Sequence, residues 1–276
     1  MIDKIKKWIK TAAGIASIIL LAISIILLLV SICLDYVNFS EKIINNINNI
    51  LFGLATNLLG IIVTISFVQY FIDRQNEKDE RIEEYLKIKR HDRLMNVLMI
   101  RYAMYLNCVV TPIERRNKTD PLKLSSQFKF EDICNLYKHS LYLCEGYFES
   151  SIELFYKAEE RLRNYMIKMT QDIDFKYNEP LKEIIMQFVE KSIELDMRGA
   201  VLGNMTAHVG EEKMTEFVMK TIKDTSYDWL GKMQRGELGS NIMVPYIQLY
   251  KLLKIEIKLI EDYKNYITTL DNQLLI

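Results

Sequence analysis

The chain contains few of the side chains that perform chemistry in active sites. Its 276 residues include 3 His, and these lie far apart at His91, His139 and His208. The chain has no P-loop, no HExxH sequence and no ordered set of nucleophile and base. From the sequence we therefore expect neither catalysis nor a cofactor.

Cysteine is also scarce, with 4 residues in the whole chain. No two of them have the CxxC spacing that is typical of zinc or redox sites. We therefore predict no metal site and expect buried thiols rather than disulfides in the part that we place in the cytosol. The cysteines are Cys33, Cys108, Cys134 and Cys144.

The chain has no excess of charge of either sign, since 36 basic side chains balance 36 acidic ones. A protein that binds nucleic acid through its overall charge is usually strongly basic. We therefore expect no direct binding of nucleic acid.

Two long stretches near the N-terminus have no charged residue and no histidine: Thr11 to Leu34 and about Ile43 to Ile72. Each reaches the ~20 residues with which an α-helix crosses the bilayer core. The alternative for the first stretch is a cleaved secretory signal. That alternative is disfavoured because the stretch exceeds the ~7–15 residues of a signal core and is soon followed by another apolar stretch. We predict an N-terminal transmembrane hairpin over residues 1–72.

The distribution of basic residues predicts the orientation of this hairpin. Cytoplasmic flanks carry the excess of Lys and Arg, and the connector from Asp35 to Asn49 contains only Lys42. Both termini are therefore predicted to lie in the cytoplasm of a bacterial cell, with two spans in the inner membrane. The flanking basic residues are Lys4, Lys6, Lys7 and Lys10 before the first span, and Arg74, Lys78, Arg81, Lys87, Lys89, Arg90 and Arg93 after the second.

Small and polar residues recur at helical spacing within both spans. Such residues allow close approach of helices in lipid and bond across the gap. Two interpretations remain open: the stripes hold the hairpin together, or several hairpins assemble and the stripes line a pore. The absence of intramembrane ionisable groups disfavours pumps and coupled transporters. The stripes are Ala13, Ser17, Ser24 and Ser31 in the first span, and Gly53, Asn57, Gly60 and Thr64 in the second.

The remainder of the chain has the pattern of an all-α protein. Residues 73–110 contain no Pro or Gly and are predicted to continue the second span as a juxtamembrane helix, which ends at Thr111-Pro112. Residues 111–276 are predicted to form a cytosolic helical bundle. Its expected helices are Phe130 to Cys144, Phe148 to Ile173, one capped at Asn178 and running to Leu195, Phe217 to Met233 with a break near Asp224, and a last helix after Gly239-Ser240 with Glu256 inside its heptad seam.

Two segments of the bundle are candidate ligand or partner contacts. The first is the irregular stretch after Thr111, which we expect to be a solvated loop, with binding of a ligand as the alternative. The second is the glycine-containing stretch from Arg198 to Gly210, which we expect to be a helix junction unless it binds a small ligand. The candidate residues are Arg115, Arg116 and Lys118 in the first segment, and Arg198, Asn204 and His208 in the second.

The layout of a basic N-terminus, two uncharged spans, the stretch Asn57-Leu58-Leu59-Gly60-Ile61-Ile62-Val63-Thr64 and a helical cytosolic region resembles the two-transmembrane effectors of bacterial anti-phage systems. These effectors accompany retrons and cyclic-oligonucleotide signalling operons. The resemblance covers mainly residues 1 to about 110. It implies a homo-oligomer that disrupts the inner membrane in abortive infection, after a cytosolic protein or nucleotide signal acts on residues 111–276.

Another class of function fits the same features. The protein would then be a membrane scaffold whose helical region docks a cytosolic partner at the bilayer. An enzyme that acts on lipid is a third alternative, with little support from individual residues.

Overall fold

The computed structural model describes residues 12–34, 41–116, 118, 120–139 and 149–274. These residues are predominantly helical, which confirms the all-α prediction at the level of fold class. The chain divides into two compact units, residues 1–83 and residues 84–276. The basic N-terminal residues and Cys144 lie outside the described residues.

The first unit is built from two apolar helices. Helix α1 covers Ala12–Leu34, and helix α2 begins at Glu41 and ends at Val110. At a rise of about 1.5 Å per residue, α1 is about 35 Å long, enough to cross the hydrocarbon core of a bilayer. The described residues contain two helical stretches that are long and apolar enough for this, one at Ala13–Cys33 and one beginning at Asn45.

Helix α2 contributes to both units. Its end at Val110 agrees with the predicted stop at Thr111-Pro112. The boundary between the units falls after Glu83, within the stretch 73–110 that was predicted as a juxtamembrane helix. Beyond that point Ile88, Met95 and Tyr102 are completely buried among other helices. The last part of α2 is therefore a core element of the second unit.

The second unit contains mostly helices of moderate length. In chain order its further elements are α3 (Ile113–Arg116), a 3-10 helix (Phe130–Asn135), α4 (Ser151–Asp172), α5 (Glu179–Glu194), α6 (Arg198–Gly203), β1 (His208–Val209), β2 (Glu212–Lys213), α7 (Met214–Lys223), α8 (Trp229–Gln234) and α9 (Val244–Leu274). The predicted break near Asp224 is confirmed, since α7 ends just before that residue.

Helix α9 lies at the centre of the second unit. Its apolar seam is buried, with Leu253, Ile260 and Tyr263 at most 1% exposed. It packs extensively on α5. The heptad seam of this helix therefore packs within its own unit, since heptad spacing places such residues on one helical face.

Two local predictions are wrong. The helix expected over Phe130 to Cys144 is only a 3-10 helix that ends at Asn135. The backbone carbonyls of Leu136 and Lys138 instead accept hydrogen bonds from the amides of Ile152 (3.0 Å) and Ser151 (2.8 Å). A tertiary contact therefore uses acceptors that a continuing helix would need.

The second wrong prediction concerns the glycine-containing segment, which forms a short antiparallel ladder after α6. His208 pairs with Lys213, and Val209 pairs with Glu212. Gly210 has a φ of +60° in the turn between them, a conformation that glycine adopts without strain. This segment is therefore a tight hairpin rather than a plain helix junction.

Candidate functional site

The two helices of the first unit contact each other through serines. Ser24 Oγ donates to the carbonyl oxygen of Ala55 at 3.1 Å, and Ser31 Oγ donates to Asn48 Oδ1 at 3.2 Å. The two serines are seven residues apart and their partners are seven apart in the opposite direction. The helices are therefore antiparallel with a heptad register. Ser24 and Ser31 of the first-span stripe therefore lie in the contact between α1 and α2.

Ser17 continues this contact by a further seven residues. It is only 3% exposed, but its hydroxyl has no hydrogen-bond partner within the described residues. Small side chains at two-turn intervals allow the helix axes to approach closely. Ser17, Ser24 and Ser31 therefore have the same structural role, although only two of them bond across the contact.

The second-span stripe lies outside this contact. Asn57, Gly60 and Thr64 are exposed, and Thr64 Oγ1 donates to the carbonyl of Gly60 in its own helix at 2.9 Å. A Cβ atom added to Gly53 or Gly60 would meet nothing within 4 Å. Packing of this stripe against α1 within one chain is therefore a wrong prediction. The reason is rotational, because Asn57 lies about 200° around the helix from the contacting Ala55.

The part of α2 that belongs to the second unit begins at Glu84, a buried carboxylate whose hydrogen bonds attach this helix to other parts of the unit. Glu84 is 8% exposed and accepts from Asn178 Nδ2 at 2.8 Å and from the backbone amide of Tyr177 at 3.2 Å. Asn178 Oδ1 in turn accepts from the hydroxyl of Tyr266 at 3.1 Å. The predicted N-cap Asn178 makes no side-chain cap bond. Its amide connects α2 with α9 instead.

The end of α9 provides a further attachment for α2. Asp271 accepts from the hydroxyl of Tyr85 at 3.1 Å and from Lys89 Nζ at 2.9 Å. Tyr263, about two turns before Asp271 on α9, donates to Asp92 Oδ1 at 3.1 Å. The bond with Asp271 raises the pKa of Lys89, so this lysine is charged at neutral pH. We call Glu84, Asp92 and Asp271 the anchor carboxylates.

His91 lies beside the anchor carboxylates, and its Nδ1 is 3.0 Å from the hydroxyl of Tyr165. Its Nε2 is 3.5 Å from a carboxylate oxygen of Asp172. Burial lowers the pKa of His91 from 6.5, more strongly than Asp172 raises it. The imidazole is therefore neutral at pH 7. Acid would add a positive charge at this attachment.

Two further carboxylates, Glu159 on α4 and Glu256 on α9, lie inside the bundle. Glu159 accepts from Arg198 Nη2 at 2.8 Å and from the hydroxyl of Ser192. Glu256 accepts from the hydroxyl of Tyr102 at 2.5 Å and is completely buried. Burial, followed by the charge of Glu159, raises the pKa of Glu256 well above its usual range. Burial raises the pKa of Glu159 as well, but Arg163 and Arg198 form ion pairs with this carboxylate, at 3.5 and 2.8 Å. We therefore assign the negative charge of the pair to Glu159 and the proton to Glu256.

The candidate residues after Thr111 have different roles in the structure. Arg116 is only 2% exposed, and its guanidinium donates to the carbonyls of Thr111 (3.1 Å), His139 (3.2 Å) and Cys108. The expectation of a solvated loop is therefore wrong for Arg116, because its charge is needed to satisfy buried carbonyls. Arg115 is exposed and pairs with Asp132 at 2.9 Å, and Lys118 is exposed.

The candidates in the second segment are not brought together into one pocket. Arg198 forms ion pairs with Glu159 (2.8 Å) and Glu160 (3.0 Å). Asn204 donates to the hydroxyl of Tyr246 at 2.6 Å, and His208 is exposed on β1. Arg198 and Asn204 therefore stabilise the bundle. The sequence signal that could have identified this role is the charge complementarity of Arg198 with the Glu159-Glu160 pair.

Cysteine and metal chemistry is limited in the part of the chain that the structure describes. Cys108 and Cys134 are buried, as predicted. Burial raises the pKa of the Cys134 thiol, which makes it a weaker nucleophile at neutral pH. Across the described ranges, no group of three or more His, Cys, Asp or Glu side chains is arranged to hold a metal ion.

The fold and these contacts define a class: an all-α protein with two helices that are able to cross a membrane and a helical unit that holds the end of the second one. No protein family, no curated protein and no solved structure matches the chain significantly. The functional conclusion therefore rests on the chain's own residues.

Proposed function

We propose that the protein is a membrane-anchored effector that oligomerises through α2 and perturbs the bacterial inner membrane when its helical unit is triggered, in anti-phage defence. The observation that carries this proposal is that the stripe of Gly53, Asn57, Gly60 and Thr64 packs against no other helix in the described part of the chain. The carboxamide of Asn57 is exposed to whatever surrounds α2. An amide without a hydrogen-bond partner in hydrocarbon has a free-energy cost of about 2–7 kcal/mol. Another copy of α2 would relieve this cost.

Oligomerisation also provides a route to membrane damage. Two helices of one chain cannot enclose a channel, but α2 stripes from several chains form a polar surface that water can enter. Glycines at Gly53 and Gly60 leave space for close approach, since no atom lies within 4 Å of the Cβ position at either. The serine contact with α1 then keeps each pair of helices intact while the opposite face of α2 associates.

The trigger in this proposal is a change at the anchor carboxylates. Glu84 and Asp271 attach the stretch of α2 from Glu84 to Lys89 to the rest of the second unit through the contacts described above. A cytosolic protein or nucleotide that weakens these contacts would free α2 to rotate. Rotation changes which face of α2 meets its neighbours, because successive residues are separated by about 100°. In this proposal both termini lie in the cytoplasm.

Dye leakage from liposomes tests the proposal. Full-length protein reconstituted at increasing density should release the dye, and overexpression should depolarise cells. Asn57→Leu or Gly60→Leu should reduce leakage at least about tenfold, because each removes the polar or small contact on which association depends. Ile61→Leu is the matched control, since Ile61 is 47% exposed on the same helix and the change conserves its apolar volume.

Two results would contradict the effector proposal. One is the absence of leakage at every protein density, with Asp271→Asn used to weaken the anchor. The other is unchanged leakage in the Asn57→Leu variant. Harmless overexpression would instead favour the membrane scaffold. Tags at the two termini should both be inaccessible to protease in intact spheroplasts, and exposure of one tag would refute the proposed topology.

A further inference from the structure

One face of α2 in the second unit exposes a run of large apolar side chains. Leu86, Leu94, Val97 and Ile100 are 54%, 47%, 48% and 50% exposed. At 100° per residue all four fall within an arc of about 120°. The other large apolar side chains that are similarly exposed in the described part of this unit are isolated from one another in sequence: Leu122, Ile193, Val209 and Tyr227. Scattered residues need no explanation, whereas a continuous stripe indicates an interaction surface.

The same arc is strongly basic. Arg90, Arg93 and Arg101 are exposed between the apolar residues, and none of them forms an ion pair within the described ranges. Acidic residues are absent from this face of α2 between Leu86 and Arg101. We call this surface, made of Leu86, Arg90, Arg93, Leu94, Val97, Ile100 and Arg101, the arginine-apolar face.

A groove extends the arginine-apolar face towards α4. It has a volume of about 250 Å³ and includes Leu98, Arg101 and Tyr105 from α2 together with Leu154, Ala158 and Arg161 from α4. Leu154 and Ala158 are 8% and 6% exposed, so the floor of the groove is apolar. Arg161 adds a basic group at its rim. The positive charge of Lys157, also in the groove, is offset by Glu149 at 2.6 Å.

The dimensions and charge of this surface restrict its occupant. From Leu86 to Ile100 the face is about 21 Å long, which matches four turns of a helix lying alongside it. A second copy using the same face would bring Arg90 and Arg93 against their equivalents, and like charges repel. An amphipathic helix with acidic flanks would bury the apolar stripe and neutralise the arginines at once.

We infer that the arginine-apolar face docks an acidic amphipathic helix of a partner protein. This inference rests on the proposed function for its purpose, which is control of α2 from the cytosol. A helix held here would lie along the stretch of α2 that follows Glu84 and contains Asp92. Binding would therefore stabilise α2 in its bundle-bound state, by the differential affinity of the helix for that state.

Binding of designed peptides to the full-length protein in detergent tests the inference independently of leakage. The probe is a fluorescent helical peptide of about 18 residues with a leucine stripe flanked by glutamates, and the reference peptide has lysines in place of the glutamates. Anisotropy should show binding of the acidic peptide at least about tenfold tighter than that of the basic one. Val97→Glu should abolish binding. The matched control Ile193→Glu, at an isolated site that is 61% exposed, should not change it.

Charge reversal sharpens the test. The double variant Arg93→Glu and Arg101→Glu should prefer the basic peptide, and circular dichroism should show that its helix content is unchanged. Equal binding of both peptides, or binding that survives Val97→Glu, would overturn the inference. If light scattering gives the wild type twice the molar mass of Val97→Glu, the face would be reassigned to a second copy of the chain. Sedimentation with phosphatidylglycerol vesicles that requires Val97 would reassign it to a lipid surface.

Discussion

Replacement of Glu256 by glutamine should stabilise the protein, and the gain should increase as pH rises. The Glu256 carboxyl is completely buried on α9, and one of its oxygens has no hydrogen-bond partner among the described residues. Burial and the nearby negative charge of Glu159 raise its pKa well above the ordinary 4.5. The folded protein therefore keeps a proton on Glu256 that the unfolded chain releases near its ordinary pKa.

The sign of the effect follows from this difference in bound protons. Above about pH 4.5 the folded state binds more protons than the unfolded state, so the free energy of unfolding falls as pH rises towards the raised pKa. Each pH unit in this window lowers it by about 1.4 kcal/mol. For a protein of this size that corresponds to roughly 3–6 °C in Tm. Glutamine is neutral at every pH and avoids this loss, while its carbonyl can still accept from Tyr102.

Thermal unfolding of the full chain in detergent, followed by far-UV circular dichroism, measures the difference. The Tm of Glu256→Gln minus that of the wild type should grow steadily between about pH 5 and pH 7. Glu261→Gln is the matched control, because Glu261 is exposed on the same helix. A difference that is independent of pH would mean that Glu256 is not protonated in the fold. A variant that becomes less stable at the higher pH would refute the assignment of charge to Glu159.

Three further outcomes follow from the structure. Arg116→Ala should lower the free energy of unfolding by about 2–4 kcal/mol, because it leaves buried carbonyls without donors. The control Arg115→Ala should change it by less than about 1 kcal/mol. Equal effects of the two variants in a urea titration would contradict the burial of Arg116. Burial lowers the pKa of His91, so the wild type should lose stability as pH falls through 6.5, and a Tm series should show that His91→Gln reduces this loss. Ser24→Leu should destabilise the α1–α2 contact by about 1–3 kcal/mol through overpacking, whereas Ile25→Leu at an exposed position should be neutral in the same Tm assay.

Much of the helical layout was predictable from sequence because its signals are local. Pro112 ends α2 for a steric reason that involves only its immediate neighbours. The break before Asp224 and the heptad seam of α9 were likewise predictable from the spacing of neighbouring residues. The heptad pattern could not tell what Glu256 contacts, since Tyr102 is 154 residues away in the chain.

The roles of individual polar residues were less predictable. Asn178 has the sequence position of a helix cap, yet its amide bonds to Glu84 and Tyr266 on other helices. Arg116 lies in a stretch whose composition is typical of a loop, yet its guanidinium donates to backbone carbonyls inside the second unit. In both cases the partner is distant in sequence or is a backbone atom, and neither leaves a periodic pattern.

The amino-acid sequence by itself determined that the chain is helical and that two of its stretches are apolar enough to enter a bilayer, since hydrophobic periodicity and the absence of charge are properties of consecutive residues. Only the tertiary structure decided which way each helix face points. It placed Ser24 against Ala55 and left Asn57 exposed. It also left Val97 and Ile100 exposed beside arginines that form no ion pair among the described residues. A repeat of small, polar or apolar residues defines a face, but the partner of that face depends on how the helix is rotated when it packs.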